Sequence, residues 1–186
     1  MDSRYQHHHT VTAQRRLYFN IWSNLVTDID NKILRTKIDT FRNNYPESNI
    51  SNLKTWHSSY KTHLLTNIFD IELTYITKAA NNLVPENKYG RLEISDFWVA
   101  IYTKNSYADQ HDHTGSKYSF VYYVEADDAS SPLKFEGVLD ISPQPGMLVV
   151  FDSMIKHKVP VMTEDINRSI LAGNLTFVPN EFIKCK

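Results

Sequence analysis

The spacing of apolar residues changes character along the chain, and each change predicts an element. Leu17 to Leu25, LYFNIWSNL, is a dense aromatic and apolar run that predicts an early strand or a core-anchoring segment. From Asp28 onward Ile29, Ile33, Leu34, Ile38 and Phe41 recur at helical spacing, with Asp28 as the expected N-cap and Pro46 closing the segment. A second helical pattern, from about Tyr60 to Leu83, places Leu64, Leu65, Ile68, Ile71, Tyr75 and Ala79 on one stripe and ends at Asn81, Asn82 and Pro85. The loop SNISNLKTWHSSY separates the two helices.

After Pro85 the pattern turns to short β-branched and aromatic runs: LEISDFWVAIY, SFVYYVEA, LKFEGVLDI, GMLVVFDS, HKVPVM and SILAGNLTFV. Asn, Asp, Gly and Pro punctuate them, which is the grammar of successive strands. Helices followed by many strands predict an α+β fold, a sandwich or barrel packed against two helices. At 186 residues the chain suits one domain with a core and a pocket, and no repeat or linker interrupts it.

Composition narrows the function classes. A formal charge of −1 offers no broad cationic surface, so charge lends no support to a nucleic-acid partner. The single cysteine, Cys185, excludes a disulfide framework and a thiolate metal site, and fits a reducing compartment. No signal peptide and no run near the roughly 18 apolar residues of a membrane span is present, so the expected location is cytoplasmic with no membrane partner. His7, His8 and His9 could bind a metal, but they lie in a polar terminus expected to be mobile.

The chemistry gathers around QHDHTGS. In a strand, residues i and i+2 share a face, so His111 and His113 can aim at one point while Asp112 points away. Asp109 shares that face if the strand extends so far, and it is the alternative to His113 as a ligand. A mononuclear iron site needs three ligands on one face with positions left open. Outside the N-terminal cluster the other histidines are His57, His63 and His157, and His157, after the turn-strand-turn unit PQPGMLVVFDSMIKH, is the best third ligand. Arg168 then opens another strand. A fixed cation on an interior face is costly unless it meets an anion, and a dicarboxylate co-substrate would supply one to its planar fork.

This ordered set resembles the 2-oxoglutarate- and Fe(II)-dependent oxygenase superfamily, especially small oxygenases of marine bacteria and tailed phages that carry HxHxxS followed by an SGVYYL-like strand. Here the motif is His111-Asp112-His113-Thr114-Gly115-Ser116, then Ser119-Phe120-Val121-Tyr122-Tyr123-Val124. Phe97-Trp98-Val99-Ala100-Ile101-Tyr102 is similar to the family's tryptophan-bearing strand, and Asn52 with Trp56-His57-Ser58 to its "N, then GWHS" signature. Pro145-Gly146, Phe151, His157-Lys158-Val159, Arg168-Ser169-Ile170 and Asn174 match the closing strands. The likeness runs over about residues 17–178.

The resemblance implies a double-stranded β-helix, or jelly roll, with two N-terminal helices packed against it. Residues 1–16 would be a flexible tail and 17–186 one domain, with helices over about 28–83 and the β-helix over about 90–180. It implies that His111, His113 and His157 ligate Fe(II), that Arg168 binds the distal carboxylate of 2-oxoglutarate, and that Tyr123 and Tyr102 are candidate donors to the same carboxylate. O2 would be the oxidant, with ascorbate a further candidate cofactor. The reaction would couple decarboxylation of 2-oxoglutarate to hydroxylation of an unidentified substrate: a protein prolyl residue, a free amino acid, a nucleobase or another small molecule. A phage-encoded copy would work in the host cytoplasm.

Departures from the family pattern carry consequences. His113 stands where most members have an acid, so the iron would keep its full charge and be held weakly before 2-oxoglutarate binds. Phe120 replaces a usual Gly, Ile170 replaces a frequent Ser, and Ser169 faces the other way. Phe120, Tyr122 and Phe151 are candidates to line the pocket, the loop Asp127-Asp128-Ala129-Ser130-Ser131 to rim it, and His57 to reach its mouth from outside the metal shell. A cupin-type metalloenzyme is a rival, but the places for its usual Glu hold Lys117 and Tyr118. The other rival is a catalytically inactive jelly roll, a binding or structural protein of a phage.

Overall fold

The computed structural model describes residues 19–47, 53–84 and 90–180. The N-terminal histidine cluster and tail, Asn52, Pro85 and Cys185 lie outside them. In chain order the elements are β1 Ile21–Leu25, α1 Asn31–Asn44, β2 Leu53–Lys54, β3 Trp56–His57, α2 Thr62–Leu65, α3 Asp70–Leu83, β4 Gly90–Tyr102, β5 Tyr107–His111, β6 Tyr118–Glu125, β7 Leu133–Phe135, β8 Leu139–Ile141, β9 Met147–Asp152, β10 His157–Val159 and β11 Arg168–Pro179. A major sheet has the order β1-β9-β6-β11-β4-β3 and a minor sheet the order β2-β5-β10-β7-β8. Their strand pairings are antiparallel.

The major sheet is covered on both faces, which is why its strands appear in the sequence as unbroken apolar runs. On one face Leu34, Ile38 and Phe41 of α1 and Ile76 and Ala80 of α3 pack with Val99, Leu148 and Leu171. On the other, Trp98, Tyr102, Val121, Tyr123 and Ile170 meet Ala108, Leu133 and Phe135 of the minor sheet. Alternation along one strand divides the two cores: Leu171 faces the helices, Ile170 and Ala172 the sandwich interior.

The helices correct the sequence expectations. Asp30, not Asp28, caps α1, its carboxylate accepting from the N–H groups of Lys32 and Ile33. The run from Tyr60 to Leu83 is two helices rather than one, because the chain is extended at Thr66. The buried face of α3 is Leu73, Ile76 and Ala80, with Phe69 just before it, whereas Leu64, Leu65 and Ile71 of the expected stripe are exposed. Both stripes have helical spacing; only contact with the sheet selects between them. LKFEGVLDI divides into the hairpin β7 and β8.

Candidate metal centre

The first histidine sits on a strand that the apolar pattern does not announce. β5, YADQH, pairs with β10 so that His111 lies opposite His157. The strand ends at His111, so strand parity does not by itself bring His113 to its partner. A tight turn does this: the Asp112 carboxylate accepts from the Thr114 N–H at 3.0 Å and from its hydroxyl at 2.7 Å, and the His113 N–H donates to the Ser153 carbonyl at 2.8 Å. Those Thr114 bonds hold Asp112 below the usual carboxylate range. The carboxylate between the histidines is engaged in the turn.

His111, His113 and His157 present one ligand nitrogen each, all within 4.8 Å of one another. Their ring centroids are 5.1 Å (111 to 113), 4.3 Å (111 to 157) and 5.2 Å (113 to 157) apart. Asp109 is exposed and outside this group; its contribution is a backbone carbonyl 2.6 Å from His111 Nδ1. His157 Nδ1 lies 3.0 Å from the Ile155 carbonyl. A carbonyl can only accept, so each Nδ1 carries the proton and each Nε2 keeps its lone pair for a metal. Burial lowers all three pKa values, that of His113 to about 4 and that of His157 to about 3, so the imidazoles are neutral near pH 7.

Arg168 opens β11 opposite Tyr102 and is 0% exposed. Its guanidinium lies 5.1 Å from the Tyr102 ring and 5.0 Å from the Tyr123 ring. Nη1 donates to the Ser131 carbonyl at 2.8 Å and Nη2 to the Tyr123 hydroxyl at 3.4 Å, while Nε is buried without a partner. Among the described residues no carboxylate forms an ion pair with it. Burial raises both tyrosines, Tyr102 to about 12, so both hydroxyls remain protonated. The polar loop at 127–131 thus ends on the arginine, with Ser131 as its contact.

The histidines and Arg168 line one pocket between the sheets, of about 540 Å³ including its open mouth. Ala100, Ala108 and Ala172 on the interior faces leave the room that larger side chains would fill. Phe151 faces this interior, 4.8 Å from the His157 ring. Phe120 borders the pocket, but its ring belongs to the helix-side core, as does Tyr122, whose hydroxyl donates to Asn31. Phe120 fits because Gly173 lies opposite it: a Cβ there would come within 2.6 Å of the ring and 2.2 Å of the Asp96 carbonyl. Ser169 faces away to Glu125, and His57 is buried against Tyr60, outside the metal group.

Two aromatic residues near the triad have no role assigned to them by the sequence, although Trp98 lies in the strand that resembles the family's tryptophan-bearing one. Trp98 and Tyr60 line the pocket wall beside His113. Trp98 is legible in principle, since counting back by twos from Tyr102 places it on the same strand face. Tyr60 lies in irregular structure, where no periodicity points to it.

The architecture is that of known oxygenases. A prolyl-4-hydroxylase from Pseudomonas putida superposes with a TM-score of 0.59 at 17% identity, over 84% of this chain and 91% of that one. HygX from Streptomyces hygroscopicus, solved with nickel and 2-oxoglutarate bound, gives 0.57 at 10% identity, over 88% and 84%. The non-heme α-ketoglutarate-dependent epimerase SnoN from nogalamycin biosynthesis gives 0.63 at 9% identity, over 89% and 82%. No protein-family model matches the sequence, and no curated protein matches it either. At these identities the likeness establishes the fold.

Proposed function

We propose that the protein is a 2-oxoglutarate-dependent Fe(II) oxygenase, built as a single double-stranded β-helix domain over about residues 17–186, that hydroxylates an as yet unidentified substrate. His111, His113 and His157 hold the iron. Arg168 holds the distal carboxylate of 2-oxoglutarate, with Tyr123 and Tyr102 as hydroxyl donors beside it. The observation that carries this reading is a buried guanidinium with an unpartnered Nε and no anion of its own, in the same pocket as three neutral imidazoles. A carboxylate would satisfy that Nε and offset the cost of burying the charge.

The residues fit such a centre. Neutral imidazoles suit a divalent transition metal, and the Asp109 and Ile155 carbonyls fix two of the rings. When bound, iron with 2-oxoglutarate and O2 supplies oxidation of a C–H bond coupled to release of succinate and CO2. The chain orients the co-substrate through Arg168, keeps the tyrosine hydroxyls protonated, and surrounds the reacting atoms with Val121, Phe151 and Ala172.

Purified protein loaded with Fe(II), or with Mn(II) as a substitute, is expected to bind 2-oxoglutarate and, with iron, to release succinate. His157→Ala abolishes metal binding, measured with 2-oxoglutarate present, and Arg168→Met abolishes co-substrate binding while the metal stays. Undiminished metal binding by the His157 variant would remove the triad, and metal-dependent turnover without 2-oxoglutarate would favour a cupin-type enzyme.

A further inference from the structure

We propose that Asn174 is a positioning residue for the metal centre, holding His113 in place through Ser119 and Ser153. This rests on the reading of the three histidines as metal ligands and adds a residue outside the pocket on which the centre depends. The need for it comes from an asymmetry in the triad. His111 and His157 stand opposite each other on paired strands, and each has a carbonyl at its Nδ1 that orients the ring. His113 lies beyond the end of β5, and among the described residues its ring takes no hydrogen bond. Besides the Asp112 turn, what fixes it is its own N–H, which donates to the Ser153 carbonyl at 2.8 Å. The place of His113 is therefore set by the place of Ser153.

Ser153 is held in turn from the major sheet. Trp98, Ala172 and Val121 lie side by side across β4, β11 and β6 and line the pocket. Two residues along each strand, on the same face, the next row is Asp96, Asn174 and Ser119, and it is polar. Ser119 Oγ lies 2.9 Å from Ser153 Oγ and donates to Asn174 Oδ1 at 2.9 Å, and Asn174 Nδ2 donates to Asp96 at 3.3 Å. The other carboxylate oxygen of Asp96 takes Lys61 Nζ at 2.8 Å.

The bonding has one direction. The Asp96 carboxylate can only accept, which turns the amide nitrogen of Asn174 toward it and leaves the amide oxygen for Ser119. Ser119 has spent its one hydroxyl proton on that oxygen, so the proton between the two serines comes from Ser153. Asn174 is the one member that both accepts from the serine side and donates to the carboxylate. Ser119 and Ser153 are each 1% exposed and Asn174 9%, so water is a poor substitute for a lost partner. A buried polar row of this kind adds little stability over an apolar row of the same shape, but it specifies position.

The test is Mn(II) calorimetry on the folded protein with 2-oxoglutarate present, together with the visible absorption of the Co(II)-loaded form, which reports ligand number and geometry. Asn174→Leu, close in size but unable to bond, and Ser153→Ala, which keeps the carbonyl and removes the hydroxyl, should each weaken Mn(II) about tenfold and shift the Co(II) bands. Asn81→Leu makes the same chemical change on the helix face, where Asn81 bonds the backbone of Leu92 at 2.8 and 3.0 Å. It should leave Mn(II) affinity within about twofold and the Co(II) bands in place. Should Asn174→Leu fail to fold, the milder Ser153→Ala decides alone. Wild-type affinity and spectrum in Ser153→Ala, or an equal loss in Asn81→Leu, would overturn the inference. Failure of the unaltered protein to bind Mn(II) would instead overturn the metal centre itself.

Discussion

The two faces of β6 meet chemically different surroundings. Phe120, Tyr122 and Val124 point toward α1 and α3, in a core of aliphatic and aromatic side chains closed by peripheral polar contacts such as Lys37 with Glu72. Val121 and Tyr123, their immediate neighbours in the chain, point toward three histidines and an arginine without an anion. One strand thus holds the fold together on one side and bears an electrostatic cost on the other. The helix face is stable because its packing is complete, while the pocket face is useful because its bonding is not.

The largest expected effect comes from damaging the complete face. Ile76→Ala should lower unfolding free energy by about 3 kcal/mol in a denaturant titration, since Ile76 is 0% exposed in the helix-side core. Acid should act on the opposite face. The three histidines titrate near 6.5 when unfolded, but burial holds the folded His113 at about 4 and His157 at about 3. The unfolded state therefore binds more protons in this window, so metal-free stability is full above pH 6.5 and falls as pH drops toward about 4, by roughly 3 kcal/mol for His113. His113→Gln should flatten that part of the profile in pH-dependent thermal melts. Arg168→Met runs the other way: removing a buried cation without an anionic partner should stabilise the ligand-free protein by about 1 to 2 kcal/mol in the same titration. The smallest effect distinguishes two caps, with Asp30→Ala costing about 1 kcal/mol and Asp28→Ala close to nothing.

What the sequence makes legible follows the same division. The histidines and Arg168 are few, polar and placed beside apolar strands, so residue type and spacing alone point to their convergence. β5 is hidden, because YADQH has neither alternation nor a β-branched residue, and its pairing with β2 and β10 comes entirely from tertiary context. The buried stripe on α3 is ambiguous in the sequence because Phe69, Leu73, Ile76 and Ala80 compete with a second helical series, and the extended residue Thr66 that separates α2 from α3 carries no proline or glycine signal. The contact between Ser131 and Arg168 is beyond reach, since a backbone carbonyl leaves no trace in the residue type.

The register that sets His157 across from His111 has a mechanical consequence. β10 is three residues long, with a pairing irregularity between His157 and Val159, so few hydrogen bonds specify its alignment. A slip of one residue would turn His157 to the outer surface of the minor sheet. An ion gripped by both rings would act as a cross-link between adjacent strands, so metal loading should register as slower amide exchange across β5 and β10, with the ion serving as a clamp on the sheet as well as a reagent.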